Sequence, residues 1–215
     1  MTTFPGFPPQ AFEFYADLEL DNTREFWAAH RPTWEQAVRA PMTDLLADLS
    51  GEFGPGTLFR PYRDVRFSAD KSPYKDHQGG YVEIGPACGY YVQVSSGGLM
   101  VAGGWYSSQA DTVATYRAVV DGPLGAQLEE LVASARSDGL AVGGDVLRTR
   151  PRGVPADHPR LELLRHRTLT VETSYPNTEP WLATPAALQR VRDGWRQMRP
   201  LLEWLADHVT GRSPD

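Results

Sequence analysis

The stretch "YVEIGPACGYYVQVSSGGLMVAGGWY", Tyr81 to Tyr106, decides the fold class. Its three runs, YVEIG, YYVQVSS and LMVAGGWY, are short, rich in β-branched and aromatic side chains, and separated by glycine-bearing turns, which is the pattern of strands. The SSGG between the last two predicts a hairpin, hence antiparallel pairing. On the N-terminal side the period becomes helical. QAFEFYADLELDN reads as a short helix with Phe12, Tyr15 and Leu18 near one face. Asn22 or Asp21 is then expected to cap a longer helix in which Phe26, His30, Trp34, Val38, Leu45 and Leu49 recur at helical spacing. Pro41 is expected to kink or divide it. On the C-terminal side, Val113, Tyr116, Val120, Leu128 and Leu131 mark helical sequence with a break at Gly122-Pro123. AVGGDVLRTRP is a strand candidate, HPRLELLRHR a short helix with proline in its first turn, and TLTVETSY a strand. A last helix carries Leu188, Val191, Trp195, Met198, Leu202 and Leu205. The sum is an α+β fold, a mainly antiparallel sheet flanked by N-terminal and C-terminal helices, in a single domain spanning 1–215.

The 215 residues are ample to bury a core, and six tryptophans, nine tyrosines and eight phenylalanines supply bulky material for it. A formal net charge of −6 argues against an undifferentiated nucleic-acid or membrane-surface binder, though a local basic patch remains compatible with it. MTTFPGFPPQ has neither a basic n-region nor an apolar run, so it does not read as a signal peptide, and no stretch is long and apolar enough to span a bilayer. One cysteine, Cys88, excludes an internal disulfide and leaves no cysteine-based zinc site; its setting suits a small buried hydrophobe. The expectation is a cytoplasmic protein without cofactor or metal.

A second stretch, "RPYRDVRFSADKSPYKDH" from Arg60 to His77, holds both lysines of the chain, Lys71 and Lys75, while the other nineteen basic side chains are arginine. As a strand it would place Arg60, Tyr62, Asp64 and Arg66 on one face and Arg63, Val65 and Phe67 on the other. Arg63, among apolar neighbours, would then need a carboxylate to offset its desolvation. Asp64 would brace Arg60 and Arg66. SADKSPYK reads as a turn built by Asp70, Ser72 and Pro73, projecting Lys71, Tyr74, Lys75 and His77.

Such a cluster suits an anion, since arginine forks hold phosphate or carboxylate at two points and a lysine ammonium is a compact, tunable charge. The competing reading is a salt-bridge network that pins a loop. Sharper motifs fail. Ser68 and Lys71 match S-x-x-K, but the K-T-G element of that chemistry is impossible with no lysine outside the cluster. There is no phosphate-binding glycine loop, nucleophile elbow or zinc helix. A second polar group, RTRPRGVPADHP, places Arg152, Asp157 and His158 before a helix, where Asp157 serves as a cap or the three join the lysine cluster in one cleft.

RPYRDVRFSADKSPY resembles the R-x-x-R-D-x-R-F-x-x-[DN]-K-x-x-Y signature of a widespread bacterial family of conserved proteins of unknown function, matched by Arg60, Arg63, Asp64, Arg66, Phe67, Asp70, Lys71 and Tyr74. DNTREFWAAHRPTWE, GYYVQVSSGGLMVAGGWYSS and PRGVPADHPRLELLRHR are similar to the family's other blocks. Arg152 and Arg167 stand where lysines are expected. The resemblance implies membership and carries no activity with it.

The functional expectation is a small-molecule anion-binding protein or enzyme. Arg60, Arg63, Arg66 and Lys75 would hold the anion. Lys71 and Tyr74 would be the proton-transfer candidates, supported by Asp64, Asp70, His77, Asp157 and His158. Two other classes stand beside it. One is a nucleic-acid-associated protein with Tyr62 and Tyr74 stacking on bases, against which the acidic charge counts. The other is a non-catalytic adaptor whose charged loop is structural.

Overall fold

In the computed structural model, residues 3–64, 66 and 70–212 are described. The strands are β1 (Gly56–Leu58), β2 (His77–Gly85), β3 (Cys88–Ser95), β4 (Gly98–Trp105), β5 (Ala141–Gly143) and β6 (Leu169–Pro176). They form one antiparallel sheet in the order β1-β2-β3-β4-β6-β5. The helices are α1 (Pro9–Leu20), α2 (Arg24–Trp34), α3 (Ala40–Phe53), α4 (Ala110–Asp121), α5 (Gly125–Ser137), α6 (Leu161–Leu164) and α7 (Ala186–Leu205). The fold is therefore α+β with helices at both ends, as the change of period predicts. The SSGG turn does join β3 to β4. Its last residue, Gly98, has a φ of +129°, and a Cβ there would stand 2.1 Å from the Tyr175 carbonyl oxygen, so only glycine fits.

The residues sort into two compact units, each built from separate segments: Met1–Val82, Tyr91–Val101 and Ser174–Asp193 in the first, and Glu83–Tyr90, Ala102–Thr173 and Gly194–Asp215 in the second. The basic stretch belongs to the first and the 148–159 group to the second. In the first, α1, α2 and α3 bury Phe14, Tyr15, Leu18, Trp27, Trp34, Met42, Leu45 and Leu49. Leu46 of α3 lies against Gly56 and Gly80, where a side chain on either glycine would meet it at 2.9 Å. The core of the second holds Tyr116, Leu128, Val132, Leu169, Trp195 and Leu202, with Trp105 against Tyr116 at 5.3 Å. The Tyr116 hydroxyl donates to the Leu163 carbonyl at 2.9 Å, which satisfies its polar end inside the core. Cys88 is fully buried there, and burial pushes its thiol up to about 12.

Three local expectations change. The cap of α2 is Thr23, whose hydroxyl accepts from the Phe26 N–H at 3.1 Å, rather than Asn22 or Asp21. Around Pro41, which stands in the first turn of α3, the break takes the form of a single π-helical turn, Glu35–Arg39, that joins α2 to α3, and the Ala40 N–H reaches back to the Glu35 carbonyl. Pro41 follows at once and has no N–H to continue the α register, so the wide turn forms where one donor is missing. Finally, the described residues 60–64 and 66 belong to no strand. Only an isolated antiparallel bridge, Tyr62 to Tyr74, forms there, and the expected alternation at Val65 and Phe67, like the Ser68 of S-x-x-K, lies outside the described residues.

Asn22 is spent elsewhere. Its amide donates to the Tyr74 carbonyl at 3.0 Å and accepts from the Tyr74 N–H at 3.1 Å. Asn22→Ala removes both partners of a half-buried backbone and is expected to cost roughly 1–3 kcal/mol. Thr23→Ala, a lost cap alone, is expected to cost about 1 kcal/mol. Denaturant melts of the two variants check the order; an Asn22→Ala protein as stable as wild type contradicts it.

Candidate functional site

The basic stretch is a loop closed at a neck. On either side of the Tyr62–Tyr74 bridge, the Arg63 N–H donates to the Pro73 carbonyl at 2.9 Å and the Lys75 N–H to the Pro61 carbonyl at 2.8 Å. Tyr74 does not project from the tip. It is buried, with its ring stacked on Trp27 at 4.2 Å and 7° between planes. Burial raises its phenol pKa, with the neighbouring Tyr62 adding to the effect, so at neutral pH it holds its proton. Tyr62, by contrast, is half exposed, 5.4 Å from Tyr74.

Inside the loop the charges pair locally. Arg63, three-quarters buried along its side chain, forms an ion pair with Asp70 and lies 3.6 Å from Asp76. Asp70 also accepts from the Ser72 N–H at 2.9 Å and hydroxyl at 2.6 Å, which builds the turn expected there. Asp64 takes the Arg66 guanidinium at two points, 3.0 and 2.7 Å, and feels Arg60 only at longer range. The hydrogen bonds from Arg66 hold the Asp64 carboxyl below its usual range. Asp76 accepts from His77 at 2.7 Å if the imidazole carries the proton on Nδ1. Burial would raise the Asp76 carboxyl, but His77 and Arg63 outweigh it and the pKa falls. Lys71 stands exposed at the tip. Lys75 is half-buried, its ammonium 5.3 Å above the Phe59 ring. Burial, then Arg60 and Arg63, lower its pKa.

Beside the neck a cavity of about 330 Å³ opens, lined by Trp27, Arg31, Trp34, Glu35, Arg39, Leu58, Phe59, Arg60, Pro61 and Tyr62. Arg31, Glu35 and Arg39 reach it from the end of α2 and the π turn, and Arg60 from the loop after β1. Arg31 pairs with Glu35 at 3.0 Å. Among the described residues, no carboxylate stands within ion-pair distance of Arg39 or Arg60. The walls are aromatic: Trp27 and Trp34 are nearly buried, while Phe59 and Tyr62 are 37% and 51% exposed. Guanidiniums free of carboxylates beside a half-apolar wall can fix an anion at two points and hold its body by dispersion.

The structure therefore divides the expected set. Arg60 lines the cavity, Lys75 lies over one of its wall residues, and Tyr74 supports it from below. Arg63, Arg66, Asp64 and Asp70 are committed to one another in the loop, and His77 to Asp76. Arg31, Glu35, Arg39, Trp27, Trp34 and Phe59 were not anticipated. For Arg31, Glu35 and Arg39 the signal is the R-E-R spacing, about one turn apart along α2 and the π-helical turn that continues it.

Part of the 148–159 group lines a cavity of about 320 Å³ in the second unit, with Arg117, Asp121, Arg152 and His158 among its residues. His158 Nδ1 accepts from the Arg160 N–H at 3.0 Å, which leaves the proton on Nε2 to donate to Asp121 at 2.9 Å. Both ring nitrogens are thus occupied. Asp157 is exposed and does not cap α6, which has no side-chain cap.

Among the described residues, no group of three or more histidine, cysteine or carboxylate side chains is placed to hold a metal ion, and no helix is long and apolar enough to cross a membrane. Residues 10–204 match a family described as conserved hypothetical protein (DUF2461). No curated protein matches the chain.

With only two lysines in the chain, ¹³C-lysine labelling gives two side-chain signals to titrate by NMR. Lys75 is expected to lose its proton below the usual lysine value of about 10.4, and Arg60→Gln to move that midpoint up by removing a like charge. Because the folded state holds this proton less tightly than the unfolded chain, stability attributable to Lys75 rises as pH climbs through its folded pKa. A Lys75 midpoint indifferent to Arg60→Gln contradicts the assignment.

Proposed function

The chain belongs to this conserved hypothetical family, and from the geometry of its arginine-rimmed cavity we propose that it binds a small anion, a phosphate or a carboxylate. The observation that carries the reading is Arg60. It lines the cavity with Arg31 and Arg39, while the neighbouring Arg63 and Arg66 are taken up by Asp70 and Asp64. Arg60 feels Asp64 only at longer range, and with no carboxylate at ion-pair distance, beside Arg31 and Arg39, it leaves a surplus of positive charge that an anion would offset. Lys75 adds a further positive charge over Phe59, its pKa lowered first by burial and then by Arg60 and Arg63.

The two competing classes are weighed by the same residues. The pairing of Arg63 with Asp70 and of Arg66 with Asp64 supports a structural role for the loop itself, and the cavity beside it supports binding. A nucleic-acid partner would need a strip of phosphate contacts, whereas the reading here rests on Arg39 and Arg60 at one cavity of about 330 Å³.

Thermal melting in inorganic phosphate, against chloride at matched ionic strength, is expected to raise the melting temperature of the wild type, since a ligand of the native state alone stabilises it. Arg60→Gln and Arg39→Gln are each expected to lose most of that shift. A phosphate-induced shift that survives in both variants places the anion elsewhere. No shift with either phosphate or acetate in the wild type overturns the reading.

A further inference from the structure

We infer that the ligand of this cavity is a phosphomonoester carried on a planar ring, the class of aryl phosphates. The inference rests on the anion-binding reading above and narrows it. Three guanidiniums, Arg31, Arg39 and Arg60, and one carboxylate, Glu35, line the cavity, a balance of two positive charges. A monocarboxylate offsets one of these. A phosphomonoester, with its second ionisation near pH 6, carries about −1.5 to −2 at neutral pH and presents three acceptor oxygens, enough for forks from two sides.

The walls supply the second half of the argument. The exposed large hydrophobic side chains among the described residues include three aromatics, Phe59, Tyr62 and Tyr106, and two of them line this one cavity. Tyr62 is held there by its backbone bridge to Tyr74 while its ring stays 51% exposed. Trp27 stands 6.3 Å from the Tyr62 ring, so the exposed ring is buttressed from behind by the Trp27–Tyr74 stack. An aromatic face left in water, rigidly backed and beside guanidiniums, fits a ring joined to an anion. The size agrees. About 330 Å³ lies at the small end of ligand pockets, room for one phosphate with one ring system rather than for a dinucleotide.

Calorimetric titration of the full chain with phenyl phosphate, inorganic phosphate, phenol and succinate, at one ionic strength, tests this. Phenyl phosphate is expected to bind at least about tenfold more tightly than inorganic phosphate, the scale of one stacked ring. Phenol alone should show no measurable binding. Tyr62→Leu and Phe59→Leu, checked for an intact fold by melting, should shrink the ratio of phenyl phosphate to phosphate affinity toward one. Equal affinity for phenyl phosphate and phosphate, or tighter binding of succinate, overturns this inference and leaves the anion site standing. Binding of none of the anions overturns both.

Discussion

Tyr74 is the fixed point of the first unit. Its ring lies flat on Trp27 at 4.2 Å, and its backbone is held from the far side by both ends of the Asn22 amide. A side-chain amide that mimics a peptide group in this way lends a loop the constraint that a neighbouring strand would otherwise provide. Two consequences follow. The Tyr62–Tyr74 bridge closes the neck of the loop. And Trp27, pinned by the stack, sets where α2 passes the neck, which in turn sets where Arg31, Glu35 and Arg39 stand opposite Arg60.

The charges of the loop then separate into two kinds. Arg63 and Arg66 have carboxylates from the loop itself, Asp70 with Asp76 near by and Asp64. Arg60 lies on the other side of the neck and faces the cavity with α2 and the π turn. One stretch of sequence thus serves both readings that its composition suggests: a salt-bridged loop and an anion site. The exposed pair of Asp64 and Arg66 contributes little to stability, whereas Arg63 is largely withdrawn from water and its pairing matters more. Lys75 stands at the boundary, its ammonium over Phe59 and repelled by Arg60 and Arg63.

The helices and the hairpin were legible because their signals are periodic and local: Phe12, Tyr15 and Leu18 do share a buried face, and SSGG does turn. The loop was not, because alternation over a few residues reads as a strand whether or not a partner exists to pair with it. Asn22 shows a similar limit. Its preference for helix starts is real, but Tyr74, fifty-two residues away in sequence, claims its side chain, and Thr23 takes the cap. The R-E-R series at 31, 35 and 39 carries no site signal of its own, because charged residues at that spacing are ordinarily a solvated face. Only the approach of Arg60 from another element turns that face into the rim of a cavity.

The division between structural and ligand-facing arginines is the claim on which the rest stands, and ligand-free stability tests it directly. Melting temperatures of Arg60→Gln and Arg63→Gln, measured side by side in chloride without phosphate, should differ. Arg63→Gln strands Asp70 and should lower the midpoint by several degrees, the equivalent of roughly 1–2 kcal/mol for a chain of this size. Arg60→Gln removes a guanidinium with no carboxylate at ion-pair distance and should leave the midpoint unchanged or raise it. Equal losses in the two variants, or a loss confined to Arg60→Gln, would contradict the account.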